Sequence, residues 1–289
     1  MVDVKCVWPA AAVLGEGPVW DDEEEALYWV DIKAPSVHRY VPKTGSTESW
    51  PMPEQIGCIA RRRRGGFIAG FKSGLAFLDL SSGRIERIGD PEPGHPDNRF
   101  NDGKCDSAGR FWAGTMDDGE TNATGSLYRV DPDRRWHRMD SGYVVTNGPA
   151  FSPNGRTLYH TDSLEGMIYA FDVAPDGSIS GKRAFIEIPT DAGYPDGMTV
   201  DVEGYLWVAH YDGWRLTRFR PDGTIERAIE LPVARVTSCV FGGPALDTLY
   251  VTTASIGLDA EARAQQPLAG GLFEVPAGTR GLPAPRFAG

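Results

Sequence analysis

The sequence predicts an all-β fold, a six-bladed β-propeller, and three observations predict it. A phrase built of a polar residue, a small residue, a turn and an aromatic strand recurs six times. Its period stays between 40 and 49 residues, and 35 Gly with 22 Pro supply turn chemistry throughout the 289 positions.

In chain order the copies are "EGPVWDDEEEALYWVDI", the weaker "IGCIARRRRGGFIAGF", "NDGKCDSAGRFWAGTM", "NGPAFSPNGRTLYHTD", "DGMTVDVEGYLWVAHY" and "SCVFGGPALDTLYVTT". Their first residues are Glu16, Ile56, Asn101, Asn147, Asp196 and Ser238, at spacings of 40, 45, 46, 49 and 42. Each copy is followed by a second apolar strand that ends in a turn, as in "GSLYRVDPD", "GMIYAFDVAPDG", "RLTRFRPDG" and "GGLFEVPAG", where Asp, Pro and Gly favour hairpins. Each period therefore has room for four short strands. The opening "DVKCVW" alternates like a strand ahead of the first copy, so it is expected to pair into the last blade and close the ring, which removes a free sheet edge. Residues 1–289 are expected to form this one propeller. A pair of β-sandwiches would share the alternation but not the constant register of polar residues.

Composition narrows the function. A net charge of −11 disfavours nucleic acid and anionic membranes, both of which are bound through Lys and Arg. The basic run at residues 61–64 reads as a solvated strand end or turn. No window approaches a membrane span, no secretory leader is visible, and the scattered Cys6, Cys58, Cys105 and Cys239 suit reduced thiols, so a cytoplasmic protein is expected. No GxSxG, HExxH, GxGxxG or P-loop motif is present, which removes the mechanical parts of serine hydrolases, zincins, dinucleotide enzymes and P-loop NTPases.

Equivalent positions of successive blades ring the axis of a propeller, so side chains far apart in sequence converge there. The predicted ring holds Glu16, Asn101, Asn147 and Asp196, with Ser238 beside them and Ile56 as its apolar member. Two carboxylates confined together repel unless a cation lies between them. An oxygen donor set suits Ca²⁺, Mg²⁺, Mn²⁺ or Fe²⁺, with Zn²⁺ only in an open site and not a closed structural one. Glu16, between two glycines, is thus expected to be held in place to meet partners far along the chain. The turn residues Asp176 and Asp222 lack that register, and His160 and His210 are read as packed side chains rather than ligands.

At these residues the chain resembles the senescence marker protein/gluconolactonase/regucalcin family. The match runs from "LGEGP" through "RFNDGKCD", "TNGPAFSP", "YPDGMTVDVEGYLWVA" and "SCVFGGP" to "QQPLAGGLFEV". The resemblance implies a single divalent cation on Glu16, Asn147 and Asp196. It also implies substrate contacts from Arg99 and Asn101, with Asp102 as their neighbour and Glu120 on a variable loop. It further implies hydrolysis of sugar lactones such as xylono-, arabinono-, galactono- or gluconolactone. An open metal site polarises a carbonyl, and Asp196, near the metal, is expected to take the proton from the attacking water. Two other functions fit the resemblance: a non-catalytic calcium-binding propeller, and a broader metal esterase for lipophilic lactones.

Overall fold

The computed structural model describes residues 3–289, and its strands fall into six four-stranded antiparallel sheets. Blade one comprises Gly15–Asp21, Ala26–Asp31, Ser36–Val41 and Ser46–Pro51, and blade two Ile56–Arg61, Phe67–Phe71, Gly74–Asp79 and Arg84–Gly89. Blade three comprises Asn98–Cys105, Phe111–Asp117, Gly125–Val130 and Trp136–Tyr143. Blade four comprises Thr146–Phe151, Thr157–Asp162, Met167–Val173 and Ile179–Glu187. Blade five comprises Tyr194–Val200, Leu206–Tyr211, Arg215–Phe219 and Ile225–Glu230. In blade six, Val236–Gly242, Thr248–Thr253 and Leu272–Pro276 are completed by Lys5–Trp8 from the other end of the chain, the expected ring closure.

Burial falls from the axis outward, which gives each strand its composition. The first strand of blade six is buried at every position and that of blade two at all but its last, whereas the fourth strand of blade one is almost wholly exposed. First strands of neighbouring blades touch all the way round, so they form the wall of a central channel. Large apolar side chains fill the gaps between blades: Trp29, Trp112 and Trp207 occupy the second strands of blades one, three and five and are almost completely buried. Two of these sites repeat one device. Asp106 and Asp201 cap the turn before the second strand, accept from backbone N–H groups there, and accept from the indole N–H of Trp112 (2.8 Å) and Trp207 (3.0 Å). A buried carboxylate so satisfied is tolerated in the core.

The chain then leaves the blade pattern. Val202 N–H bonds to the Arg280 carbonyl, Arg63 N–H to Phe287 and Ala288 N–H to Gly109, so the carboxy-terminal strap runs from blade five across to blades two and three. Phe287 is fully buried against Phe77, and Arg286 pairs with Asp21, Asp22 and Glu23. Residues 282–285 and the last residues of the first strands enclose a cavity of about 290 Å³. Asp176 and Asp222 cap exposed turns through Ser178 and Thr224, as expected.

Candidate active site

Every first strand has an irregular register where the polar phrase begins: between Glu16 and Val19, Ile56 and Cys58, Phe100 and Gly103, Asn147 and Ala150, Pro195 and Met198, and Val236 and Ser238. Bulges re-aim side chains out of the pleat, and here they do so six times at one level. Glycine makes the bend possible. Gly17 has φ +53°, which L side chains rarely adopt, and a Cβ on Gly197 would lie 2.1 Å from Ser238 Oγ and 2.9 Å from its Cα.

Glu16, Asp102, Asn147 and Asp196 are all buried there. The charge of Glu16 acts on Asp196, and the charge of Asp102 acts on both. Burial first, then the Asp102 charge, raises Glu16 to about 8 against the N–H of Gly17, which donates to its Oε2 at 2.9 Å. Burial, then the charges of Glu16 and Asp102, pushes Asp196 well above the usual carboxylate range. Burial also lifts Asp102 to about 6, opposed by Lys104 and by backbone N–H groups. Asp196 Oδ1, Asp102 Oδ2 and Ser238 Oγ are buried with no hydrogen-bond partner among the described residues. Unpartnered buried oxygens carrying shared negative charge are what a hard cation would satisfy. Among the described residues no group of three or more His, Cys, Asp or Glu is arranged to hold a metal, and the donor set expected from sequence has only two carboxylates, its third member being the Asn147 amide.

Amide orientation is fixed by the hydrogen bonds. Arg99 Nη1 donates to Asn101 Oδ1 at 2.6 Å, so Asn101 Nδ2 faces the Thr146 carbonyl (2.7 Å) and Asn147 Oδ1 (3.1 Å). Asn147 Nδ2 donates to Ser163 Oγ at 2.8 Å, which leaves its Oδ1 as the acceptor from Asn101 with a second lone pair free. Arg99, buried, also donates through Nε to Asp118 at 2.6 Å and through Nη1 to the Phe100 carbonyl. These bonds leave its Nη2 for a ligand. Glu120 lies exposed on the loop after the second strand of blade three, with φ 56°, and its charge reaches the Tyr211 phenol across the mouth.

Two further residues bear on this acidic group. Asp102 joins Glu16 and Asp196 in the acidic group, because Asp102 and Gly103 repeat the pairs Asn147–Gly148 and Asp196–Gly197. Lys104, two residues on, donates from Nζ to the Met198 carbonyl and so ties blade three to blade five beneath the carboxyls. The rim residues Lys33, Lys72 and Asp118 were also missed; each lies one or two residues past a second strand. His160 and His210 are buried away from ligand roles, and His210 Nδ1 sits 2.9 Å from the Ala192 carbonyl. A cavity of about 650 Å³ lies elsewhere, between blades one and two, among Arg39, Arg61, Arg62 and Arg64. Its arginines are largely engaged: Arg61 pairs with Asp21 and Glu24, and Arg62 lies 3.5 Å over the Phe77 ring.

Fold and site together define a propeller of the lactonase and regucalcin kind, with an acidic well at its axis. Residues 14–255 match the model of the SMP-30/Gluconolactonase/LRE-like region, and the chain belongs to that family. It is 39% identical over 287 residues to the 6-deoxy-6-sulfogluconolactonase of Pseudomonas putida, covering 99% of each chain. It is 37% identical to the L-arabinolactonase of Azospirillum brasilense, covering 96% of this chain and 92% of that one. Among solved structures, a calcium-binding regucalcin from Agrobacterium tumefaciens superposes with a TM-score of 0.95 at 26% identity, over 99% of this chain and 97% of that chain.

Proposed function

We propose that residues 1–289 form one catalytic unit, a metal-dependent sugar lactonase that opens aldonolactones to aldonic acids. What supports this reading is the burial of Glu16, Asp102 and Asp196 near enough for the Asp102 charge to act on the other two, with Asp102 Oδ2 and Asp196 Oδ1 unpartnered among the described residues. Full-length likeness to two lactonases supports the reaction class. Glu16, Asn147 and Asp196 would hold a divalent cation, Ca²⁺, Mg²⁺, Mn²⁺, Fe²⁺ or Zn²⁺. Bound there, the cation supplies Lewis-acid polarisation of a carbonyl.

The chain's own groups do the rest. Asp196, through Oδ1, takes a proton from water as the water oxygen bonds to the lactone carbonyl carbon. The bond from that carbon to the ring oxygen then breaks, and the proton passes to the departing alcohol. Gly17 N–H holds the Glu16 carboxylate still. Arg99 Nη2 and Glu120 hydrogen-bond sugar hydroxyls at the mouth, while Asn101, whose donors and acceptor are engaged within the protein, fixes Arg99 and Asn147 relative to each other. So polar a lining favours a hydroxylated substrate over a lipophilic ester. A cytoplasmic setting agrees with four free cysteines, three of them buried; among the described residues no helix is long and apolar enough to cross a membrane.

The test is a proton-release assay against aldono-1,4- and 1,5-lactones with chelated protein and single metals added back, corrected for spontaneous ring opening. Turnover restored by one or more divalent ions is expected. Equal turnover in chelated and metal-supplemented protein refutes the metal dependence. Likeness to a calcium-binding regucalcin keeps a second reading, binding without catalysis, which tight Ca²⁺ binding with no turnover of any lactone would establish.

A further inference from the structure

Beneath the axial acids the channel holds one ammonium, which the hydrolysis above leaves unused. Lys104 lies two residues beyond Asp102 on the first strand of blade three, and its Nζ donates to the carbonyl of Met198, two residues beyond Asp196 on the first strand of blade five. The side chain therefore passes blade four to join the two strands that carry these acids. Its charge acts on Asp102 and reaches Cys239 of blade six. Residues of all six first strands, Lys104 with them, line the cavity of about 290 Å³ described above, whose walls include Val19, Ile59, Phe151, Val200 and Phe241. A charge among such side chains is weakly screened.

No other unpaired cation faces the acids. Among the described residues Lys104 forms no salt bridge, and the Met198 carbonyl is its one hydrogen-bond partner. Asp106, the one other charged residue lining the cavity, pairs with Arg110 at 2.6 Å. Arg99 acts on Glu16 from the mouth, but there Arg99, Lys33 and Lys72 stand with Asp117, Asp118 and Glu120, so the rim adds no net positive charge. Three ionised carboxylates and the Lys104 ammonium leave two negative charges at the axis, which one divalent cation cancels.

Within the metal-dependent reading, on which this rests, we infer that Lys104 is the fixed counter-charge of the axial acids: it restricts them to one divalent cation and loosens their hold on it. Without the ion, the ammonium offsets part of the repulsion among Glu16, Asp102 and Asp196 and so stabilises the empty site. With the ion bound, the same ammonium repels it. Lys104 acts through the acids and touches no substrate, so it is a positioning residue.

The test titrates the chelated full chain with Ca²⁺ and with Mn²⁺ by calorimetry and records melting temperatures with and without each ion. Wild type, Lys104→Met, Lys104→Arg and the exposed control Lys43→Met are compared. Wild type is expected to bind one ion. Lys104→Met, which keeps the length and loses the charge, binds it about tenfold or more tightly, or takes up a second ion, whereas Lys104→Arg and Lys43→Met stay within about threefold of wild type. Lys104→Met also melts lower than wild type when chelated and regains most of that loss when the ion is bound, a difference that a purely structural role would not produce. If Lys104→Met does not fold, Asp102→Asn and the double variant Asp102→Asn/Lys104→Met replace it, and the double variant binds about tenfold more tightly than Asp102→Asn alone. Equal affinity with and without the ammonium, or an equal fall in melting temperature with and without the ion, overturns the inference. No binding of a divalent ion to wild type overturns the metal-dependent reading itself.

Discussion

Replacing His160 by Phe separates packing from chemistry. The imidazole is fully buried, edge-on to Tyr143 with ring centroids 4.8 Å apart, and neither ring nitrogen has a hydrogen-bond partner among the described residues. Burial pushes it down to about 3; the Asp140 charge opposes that weakly and Lys182 assists it. The native state therefore keeps it neutral, while the unfolded chain protonates it near 6.5. Its contribution to stability is complete above 6.5 and is lost as pH falls from there towards 3. The slope is about 1.4 kcal/mol per pH unit, or about 2 kcal/mol by pH 5. His210, lowered to about 4 mainly by burial, adds a slope of the same sign. Urea unfolding of wild type and His160→Phe at pH 7, 6 and 5 should show the variant gaining about 1.4 kcal/mol on wild type for each unit below 6.5. Lactone turnover at neutral pH should stay within about twofold. A stability difference that does not change with pH refutes the reasoning, and a large loss of turnover would place His160 in the chemistry.

Two further substitutions probe the site and the strap. Asp196→Asn should cut kcat/KM for any lactone by about a thousandfold or more, since it removes both a cation ligand and the proton acceptor, with the β-rich circular dichroism spectrum unchanged; full activity would end the assignment. Arg286→Ala removes three ion pairs, one to the fully buried Asp21, and should lower stability by about 1–3 kcal/mol and expose the strap to proteases, read by urea midpoint and limited digestion.

The fold was legible because six copies of one phrase hold register, and Glu16, Asn147 and Asp196 were legible as the polar residue that opens a copy. Asp102 was ambiguous for a local reason: the phrase there begins with two polar residues, Asn101 and Asp102, and only the bulge between Phe100 and Gly103 decides which one joins the carboxyls. Asn101, expected as a substrate contact, also donates to Thr146 and Asn147 and accepts from Arg99, a network that its place in the phrase does not announce. Lys33, Lys72 and Asp118 come from three blades, so their adjacency depends on turn lengths and blade rotation, which no single stretch of sequence encodes. Lys104 reaching the Met198 carbonyl is hidden for the same reason. The strap carries no copy of the phrase, and periodicity says nothing about it.

Residues 282–285 lie across the ends of the first strands and line a cavity with them. Aldonate retained at the acidic group competes directly with incoming lactone. Ring opening creates a new negative charge beside Glu16, Asp102 and Asp196, and that repulsion favours release of the product.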